Sequence, residues 1–444
     1  MIFILNDLHS DIGGAEIFLI EFAKYLQKNR YKVYFLIGNN DFYESRLKST
    51  NIRFIHRSYI DRIELMNDKQ IEKEKNRILK EISKDEDYIV VSLFFQTLHY
   101  AMAIFNGCSN IQLFYIWPHP EDWIKAVKII GKRDFNLKII NNRKYYYQKE
   151  LLSYLQKKNA MYYGSRIVPI YNSWYYGVDF NPTTVEALPI QSIADSDIVI
   201  HKKLDSLHFS VLWVGRFDYW KNEAIIHIFI VLERIALLYP NISFEFGIIG
   251  YGDDKNQNYI YKNISPINID VKFIGKVDPE SLVDYFYRYD VGIGMGLSVK
   301  KMAQAGLPSI IIDSFEKKVP HPNNSNWLFN TTEGDAGDGY YFKIAGKELS
   351  SRRPLIELFQ EVVEAPRKIE IYSARCIEYV EKYYSAEKQF AKLIEQANAS
   401  EFCGERYPIY RVNIIYRYLF LSVRFVYRKL KLIRYILKKS VRKR

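Results

Sequence analysis

Short apolar runs alternate with amphipathic stretches along most of the chain. IFIL (2–5), VYFLIG (33–38), IRFIH (52–56), YIVVSLF (88–94) and IQLFYIW (111–117) have the length and composition of strands. Between them, helical spacing runs from about Gly14 to Asn29, and a charged helix is predicted over roughly 64–84. The stretch 136–200 is less regular and reads as the end of a first domain plus a linker. A second series starts at FSVLWVG (209–215). It continues through a helix (222–238), FEFGIIG (244–250), VKFIG (271–275), a helix (279–288), VGIGMG (291–296) and SIIID (309–313). Strand–helix alternation at this spacing predicts parallel sheets with right-handed crossovers, here two Rossmann-like doubly wound domains in tandem. Ligands of such folds bind at the carboxyl ends of strands, so the cleft between the domains is the expected site.

After the second series, 371–396 reads as helices, whereas NNSNWLFNTTEGDAGDGYYF (323–342) is polar and reads as a loop at the domain edge. The boundaries expected are 1–200 for the first domain with its linker and 201–375 for the second. Helices follow over 376–403, and a separate tail over 404–444.

Composition narrows the function classes. At 444 residues and 48% hydrophobic content the chain can build two or three cores. Three widely spaced cysteines (Cys108, Cys376, Cys403) offer neither a disulfide framework nor a zinc signature, which suits a reducing cytoplasm. The apolar run in MIFILNDLHS is too short for a signal-peptide core and is predicted to be a strand.

The net charge of +12 is not spread evenly. From Glu401 to Arg444 there are 13 Lys/Arg and two acids, so residues 1–400 carry only +1. A neutral body with a basic tail points to an anionic surface and away from nucleic acid. In the tail, Arg417, Arg424, Arg428, Lys431 and Lys438 share one helical face, and Val412, Ile415, Leu419, Val426, Leu430, Ile433 and Leu437 share another. No uncharged run approaches the ~18 apolar residues of a spanning helix. An amphipathic helix lying on anionic lipid is expected, or else a helix docked on the protein itself.

Four loops follow strand ends. His9-Ser10-Asp11-Ile12-Gly13-Gly14-Ala15-Glu16 precedes the first helix, and paired glycines there permit close backbone approach to an anion or simply make a tight turn. In Trp213-Val214-Gly215-Arg216-Phe217-Asp218-Tyr219-Trp220-Lys221, two cations five residues apart can clamp a diphosphate or stand solvated. Gly250-Tyr251-Gly252-Asp253-Asp254 lacks the third glycine of a dinucleotide fingerprint. Gly294-Met295-Gly296-Leu297-Ser298 opens a helix that carries Lys300 and Lys301 and ends at Gly306 and Pro308. Asp195-Ser196-Asp197 and Asp85-Glu86-Asp87 read as solvated turns, and no metal site is expected.

In this order the loops resemble the GT-B glycosyltransferases, specifically the large retaining family (family 4 type) that uses nucleotide-sugar donors in surface-polysaccharide synthesis. The resemblance rests on GGAEIFLIEFAKYL (13–26), WVGRFDYWKN (213–222), FGIIGYGDD (246–254), and FIGKVDPESLVDYFYRYDVGIGMG (273–296) followed by AGLP (305–308). It covers about residues 1–395 and is strongest from 209 to 313. It implies that Arg216 and Lys221 stabilise the leaving diphosphate, and that Gly13 and Gly14 let donor phosphate or acceptor approach. Gly250 and Gly252 would belong to the nucleotide loop, and Gly294, Gly296, Leu297 and Ser298 would offer donors to sugar and diphosphate. His119, in YIWPHPEDW, would hydrogen-bond the donor sugar, or is held by neighbours in a proline-rich turn. No cofactor or metal is implied beyond the nucleotide-diphosphate sugar itself, and the last helix would cross back onto the first domain around 384–396.

One departure stands out. Counted back from AGLP, the family's two donor-loop glutamates fall at Ile293 and Lys301. An ammonium cannot accept the ribose hydrogen bonds that a glutamate accepts, although Lys301 can contact a phosphate. The reading is a cytoplasmic, membrane-peripheral hexosyltransferase acting on a lipid-linked or polysaccharide acceptor. A GT-B sugar-nucleotide epimerase and a catalytically inactive GT-B scaffold for polysaccharide assembly are the alternatives.

Overall fold

The computed structural model describes residues 1–7, 14–38, 41–48, 50–58, 63–118, 142–180, 187–190, 193, 197–201, 207–315, 319, 322–347, 349, 351–403 and 407–410, to which the structural description is confined. Gly13, His119 and the tail residues Arg417, Arg424, Arg428, Lys431 and Lys438 lie outside them.

The first domain contains, in chain order, β1 (Ile2–Asn6), α1 (Gly14–Lys28), β2 (Lys32–Ile37), α2 (Asp41–Arg46), β3 (Arg53–His56), α3 (Asp68–Leu79), β4 (Tyr88–Ser92), α4 (Phe95–Ile104), β5 (Ile111–Ile116), α5 (Asn142–Lys157), β6 (Met161–Tyr162) and α6 (Ile167–Tyr176). Its six strands are parallel in the order β3-β2-β1-β4-β5-β6. Side chains of β1 alternate between two cores, with Ile2 and Ile4 on one face and Phe3 and Leu5 on the other. Burial on both faces is why these strands read as continuous apolar runs. The charged helix predicted over 64–84 is shorter. Its start is fixed by a reciprocal cap, Gln70 N–H donating to Asn67 Oδ1 and Asn67 N–H to Gln70 Oε1, at 2.8 and 2.9 Å. The irregular stretch 136–200 contributes α5, β6 and α6, so part of it extends the first sheet.

The second domain contains β7 (His208–Val214), α7 (Asn222–Leu238), β8 (Ser243–Ile249), α8 (Asp254–Asn263), β9 (Asp270–Gly275), α9 (Leu282–Phe286), β10 (Val291–Gly294), α10 (Leu297–Gln304), β11 (Ser309–Ile312), β12 (Asn323–Trp327), α11 (Gly339–Ile344), β13 (Arg353–Pro354) and α12 (Leu355–Val363), followed by α13 (Lys368–Tyr384) and α14 (Ala386–Asn398). Strand order is β13-β12-β11-β10-β7-β8-β9, parallel except where β12 meets β11 and β13. Val211 and Trp213 face one core, Leu212 and Val214 the other. Every apolar run read as a strand forms one, and the chain is α/β with two doubly wound sheets.

The polar stretch 323–342 is not an edge loop. It supplies β12 and α11, and Ser325, Trp327 and Leu328 are buried. Two of its amide oxygens are satisfied by sequence neighbours: Trp327 N–H donates to Asn326 Oδ1 at 2.8 Å and Ser325 Oγ–H to Asn324 Oδ1 at 3.0 Å. A strand built from asparagine and serine carries no apolar alternation to read.

α14 returns to the first domain. Phe390 lies 5.8, 5.2 and 5.1 Å (ring centroids) from Phe18, Phe22 and Tyr25 of α1. Beyond it, Leu113 N–H of β5 donates to Phe402 O at 2.8 Å, and the Phe402 ring is buried in the first domain's core.

Candidate functional site

The parallel strands of the second sheet end at one edge, where the loops after β7, β8 and β10 lie side by side. Gly215 N–H donates to Ile249 O at 3.0 Å and Phe217 N–H to Tyr251 O at 2.7 Å. Gly250 and Gly252 make this approach possible. A Cβ at Gly250 would fall 2.2 Å from Gly215 O, and one at Gly252 2.4 Å from Phe217 O. Both glycines therefore hold the Arg216-bearing loop against its neighbour, whatever else the loop does.

Arg216 and Lys221 converge. Arg216 Nε and Lys221 Nζ each stand 3.8 Å from Asp218 Oδ2, a buried oxygen that makes no hydrogen bond. The turn that carries them is closed by Lys221 N–H donating to Asp218 O at 2.8 Å. The Lys221 ammonium also sits 4.4 Å from the centre of the Trp220 ring. Two cations share one carboxylate, so the loop keeps a net positive charge at the sheet edge, ready for an anion.

The loop after β10 is next to it, since Ile293 pairs with Trp213 of β7. Gly296 adopts φ 64°, a backbone glycine tolerates readily, and caps α10; its N–H is already taken by Ala336 O at 2.9 Å. Ser298 Oγ–H donates to Met295 O at 3.0 Å, and a Cβ at Gly294 would lie 3.3 Å from that hydroxyl. Across the cleft, a Cβ at Gly14 would meet Leu297 Cδ1 at 3.4 Å. The start of α1 thus faces the start of α10. Among the described residues the structure brings Gly14, Arg216, Lys221, Gly294, Gly296, Leu297 and Ser298 to this one region.

The two lysines of α10 have different fates. Lys300 is 2% exposed, with its ammonium 4.2 Å from the centre of the Tyr384 ring, and burial pulls its pKa down to about 8 against the opposing charges of Asp335 and Asp338. Lys301 Nζ donates to Pro279 O at 3.1 Å. Its pKa is lowered by burial, with the carboxylates of Glu21 and Glu280 opposing. Ile293 is fully buried in the core under α7 and α12, so a glutamate at that position would be desolvated. Beside Lys301 the domains touch: Arg46 Nη1 is 2.8 Å from Glu280 Oε1, and Arg46 Nη2 is 3.7 Å from Asp278 Oδ1. A cavity of about 350 Å³ lies there between α1 (Ile17, Ile20, Glu21, Lys24), Arg46 and Glu280.

Sequence reasoning missed a buried ionic network behind α10. Arg352 donates through Nε and Nη2 to Asp313 Oδ1 at 3.0 and 2.5 Å, and its Nη1 lies 2.9 Å from Asp335 Oδ2. Asp338 accepts from Ser165 Oγ of the first domain at 3.2 Å, and burial together with Asp335 pushes its pKa up to about 7. The signal was GDAGDG (334–339): a Cβ at Gly337 would strike Ile312 O at 2.5 Å, and one at Gly339 would strike Asp313 Oδ2 at 2.0 Å. Among the described residues no group of three or more His, Cys, Asp or Glu side chains is arranged to hold a metal ion, and no helix is long and apolar enough to cross a membrane.

No family model matches the sequence, and no curated protein matches it. Solved structures do. HepE from Anabaena, in complex with UDP and glucose, aligns with a TM-score of 0.57 over 90% of this chain and 100% of its own, at 13% identity. A mutant of S. aureus TarM, in complex with fondaparinux, alpha-GlcNAc-glycerol and UDP, gives 0.56 over 89% and 99%, at 10% identity. The lipopolysaccharide outer core galactosyltransferase WaaB in its apo form gives 0.53 over 90% and 99%, at 14% identity. At such identities the likeness is one of fold, and the fold is GT-B.

Proposed function

We propose that this GT-B chain is a glycosyltransferase that moves a hexose from a nucleotide-diphosphate sugar to a hydroxyl of a lipid-linked or polysaccharide acceptor. The observation that carries the proposal is the convergence of Arg216 and Lys221 on one carboxylate oxygen at the carboxyl edge of the second sheet. The reaction cleaves the bond between the anomeric carbon and the diphosphate, and negative charge accumulates on the leaving nucleoside diphosphate. Fixed cations at that point favour the transition state over the ground state. An entering diphosphate would compete with Asp218 for both of them. The cleft between the starts of α1 and α10 suits the sugar, with Gly14 on one side and Gly294 to Ser298 on the other; for Gly13 and His119, which lie outside the described residues, roles at the donor are taken over from the sequence resemblance alone. Residues 1–200 would then serve the acceptor and 201–375 the donor. The UDP in the HepE and TarM structures supports a nucleotide donor. Retention of configuration, a family 4 type mechanism and independence of metal are taken over from the sequence resemblance alone.

The basic segment at the end of the chain supports a peripheral position on the inner face of a cell membrane, within reach of a lipid-borne acceptor in capsule or lipopolysaccharide synthesis. A second reading, an inactive GT-B scaffold of a polysaccharide-assembly complex, draws on Ile293 in the core and on Lys301 tied to Pro279. One screen separates them. Each nucleotide sugar is incubated with the protein and a membrane extract, and released nucleoside diphosphate is scored. Release with one donor, lost in Arg216→Ala, supports the transferase. Nucleotide binding by calorimetry without release from any donor supports the scaffold.

A further inference from the structure

We propose that Tyr146 and Trp174, the outward-facing rings of α5 and α6, form a lipid-contacting patch that seats the first domain on a phospholipid surface. The proposal rests on the membrane part of the reading above and not on the transferase part.

The two helices are joined by a continuous file of aromatic rings. Tyr146 lies 5.5 Å from Tyr145, Tyr145 5.7 Å from Tyr175, and Tyr175 6.4 Å from Trp174 (ring centroids). The inner rings are half-buried, but the ends of the file open outward, with Tyr146 55% and Trp174 47% exposed. Aromatic side chains with a polar tip are the ones that settle at the headgroup level of a bilayer. On the same turn of α5, Tyr147 packs against Tyr407 and Tyr410 at 6.1 and 5.6 Å, and Tyr410 N–H donates to His99 Nε2 at 3.1 Å. The chain is therefore anchored beside the aromatic file at the residue where the basic segment begins. Residues 411–444 carry 12 Lys/Arg and no acidic residue. Cations attract an anionic surface from a distance, and exposed rings supply short-range apolar burial. One signal alone binds weakly and reversibly; two on one chain bind stably. The one-sided charge of the neighbouring segment selects a lipid surface over a protein partner, whose own charges would have to match it.

The test is flotation of the full-length protein with vesicles of phosphatidylcholine, with and without phosphatidylglycerol. Tyr146→Ser combined with Trp174→Ser should lower the partition coefficient into phosphatidylglycerol vesicles about tenfold, while Trp174→Phe keeps it within about twofold. Bromine-labelled lipid in those vesicles should quench tryptophan fluorescence in the parent protein and not in Trp174→Phe. Circular dichroism checks that the double variant is folded. Unchanged partition of a folded double variant overturns the patch while leaving the basic segment as the membrane signal. Failure of the full-length protein to float overturns both, and donor turnover in solution, measured separately, leaves the transferase reading intact. Light scattering that shows a dimer dissolved by the double variant, with no lipid dependence, assigns the rings to a second copy of the chain and overturns the lipid assignment.

Discussion

Arg46 and Glu280 stand 234 positions apart in sequence, and their side chains meet at 2.8 Å across the cleft between the domains. Glu280 is largely exposed, so the pair contributes at most about 1 kcal/mol, too little to hold the domains together by itself. Glu280→Arg should open the cleft by setting two cations against each other. Small-angle scattering should show a larger radius of gyration, restored when Arg46→Glu is added. The difference should fade in about 1 M salt, where exposed charges are screened beyond ~3 Å. Equal radii at low salt in all variants would show that the pair does not set the domain orientation.

Arg216→Ala and Lys221→Ala should each lower turnover by about two to three orders of magnitude, the scale for a lost charge-stabilising donor. Circular dichroism should be unchanged. Activity near that of the parent in both variants removes the proposed site from this sheet edge.

Lys301→Glu restores the residue type the resembled family carries there, but the surroundings are wrong for it. The new carboxylate would join those of Glu21 and Glu280, which now face the ammonium. The expected outcome is a lower melting temperature that recovers partly with salt, and no gain in nucleoside diphosphate affinity by calorimetry. A gain in affinity would mean that the ribose is held at α10 after all.

The network behind α10 should give the protein a pH signature. Asp338, facing Asp335, Lys300 and Asp313, keeps its proton up to about pH 7 in the folded state, whereas an unfolded aspartate loses it near 3.8. Between those values the folded state holds the extra proton, so stability falls as pH rises. Lys300 loses its proton at about 8 when folded and near 10.5 when unfolded, so above pH 8 stability from this group rises again. Urea midpoints measured against pH should show both slopes, and Asp338→Asn should flatten the first. A variant with an unchanged slope between pH 4 and 7 would place the proton elsewhere.

Arg352→Ala leaves Asp313 and Asp335 buried without their shared guanidinium, and both are at most 6% exposed. Destabilisation of about 3–5 kcal/mol is expected, the scale for breaking a buried ion pair on one side. Denaturant titration measures it, and a loss below about 1 kcal/mol would show that water or a lysine takes over.

The sheets were legible because their strands are buried on both faces, which writes runs such as YIVVS (88–92) into the chain. The loops at their ends were legible through glycine, although Gly250 and Gly252 turned out to serve backbone packing as well as any ligand. What stayed hidden depends on partners far away in sequence. Asp313, Asp335 and Arg352 form one group only after β11, the segment beyond β12 and β13 are assembled, and each alone looks like a surface charge. β12 was hidden because asparagine and serine hydrogen-bond within the strand instead of alternating with apolar residues.

The return of α14 to α1 fixes the order in which the protein can be completed during synthesis. Phe18, Phe22 and Tyr25 emerge early, yet Phe390, the ring that covers them, follows almost the whole of the second domain, and Phe402 joins the first core later still. The half made first is finished last. A nascent chain must carry an open aromatic face through the translation of several hundred residues, a period in which collapsed intermediates are prone to aggregate. For the same reason residues 1–200 made alone should be poorly soluble, and a version that reattaches 386–403 through a flexible linker should recover.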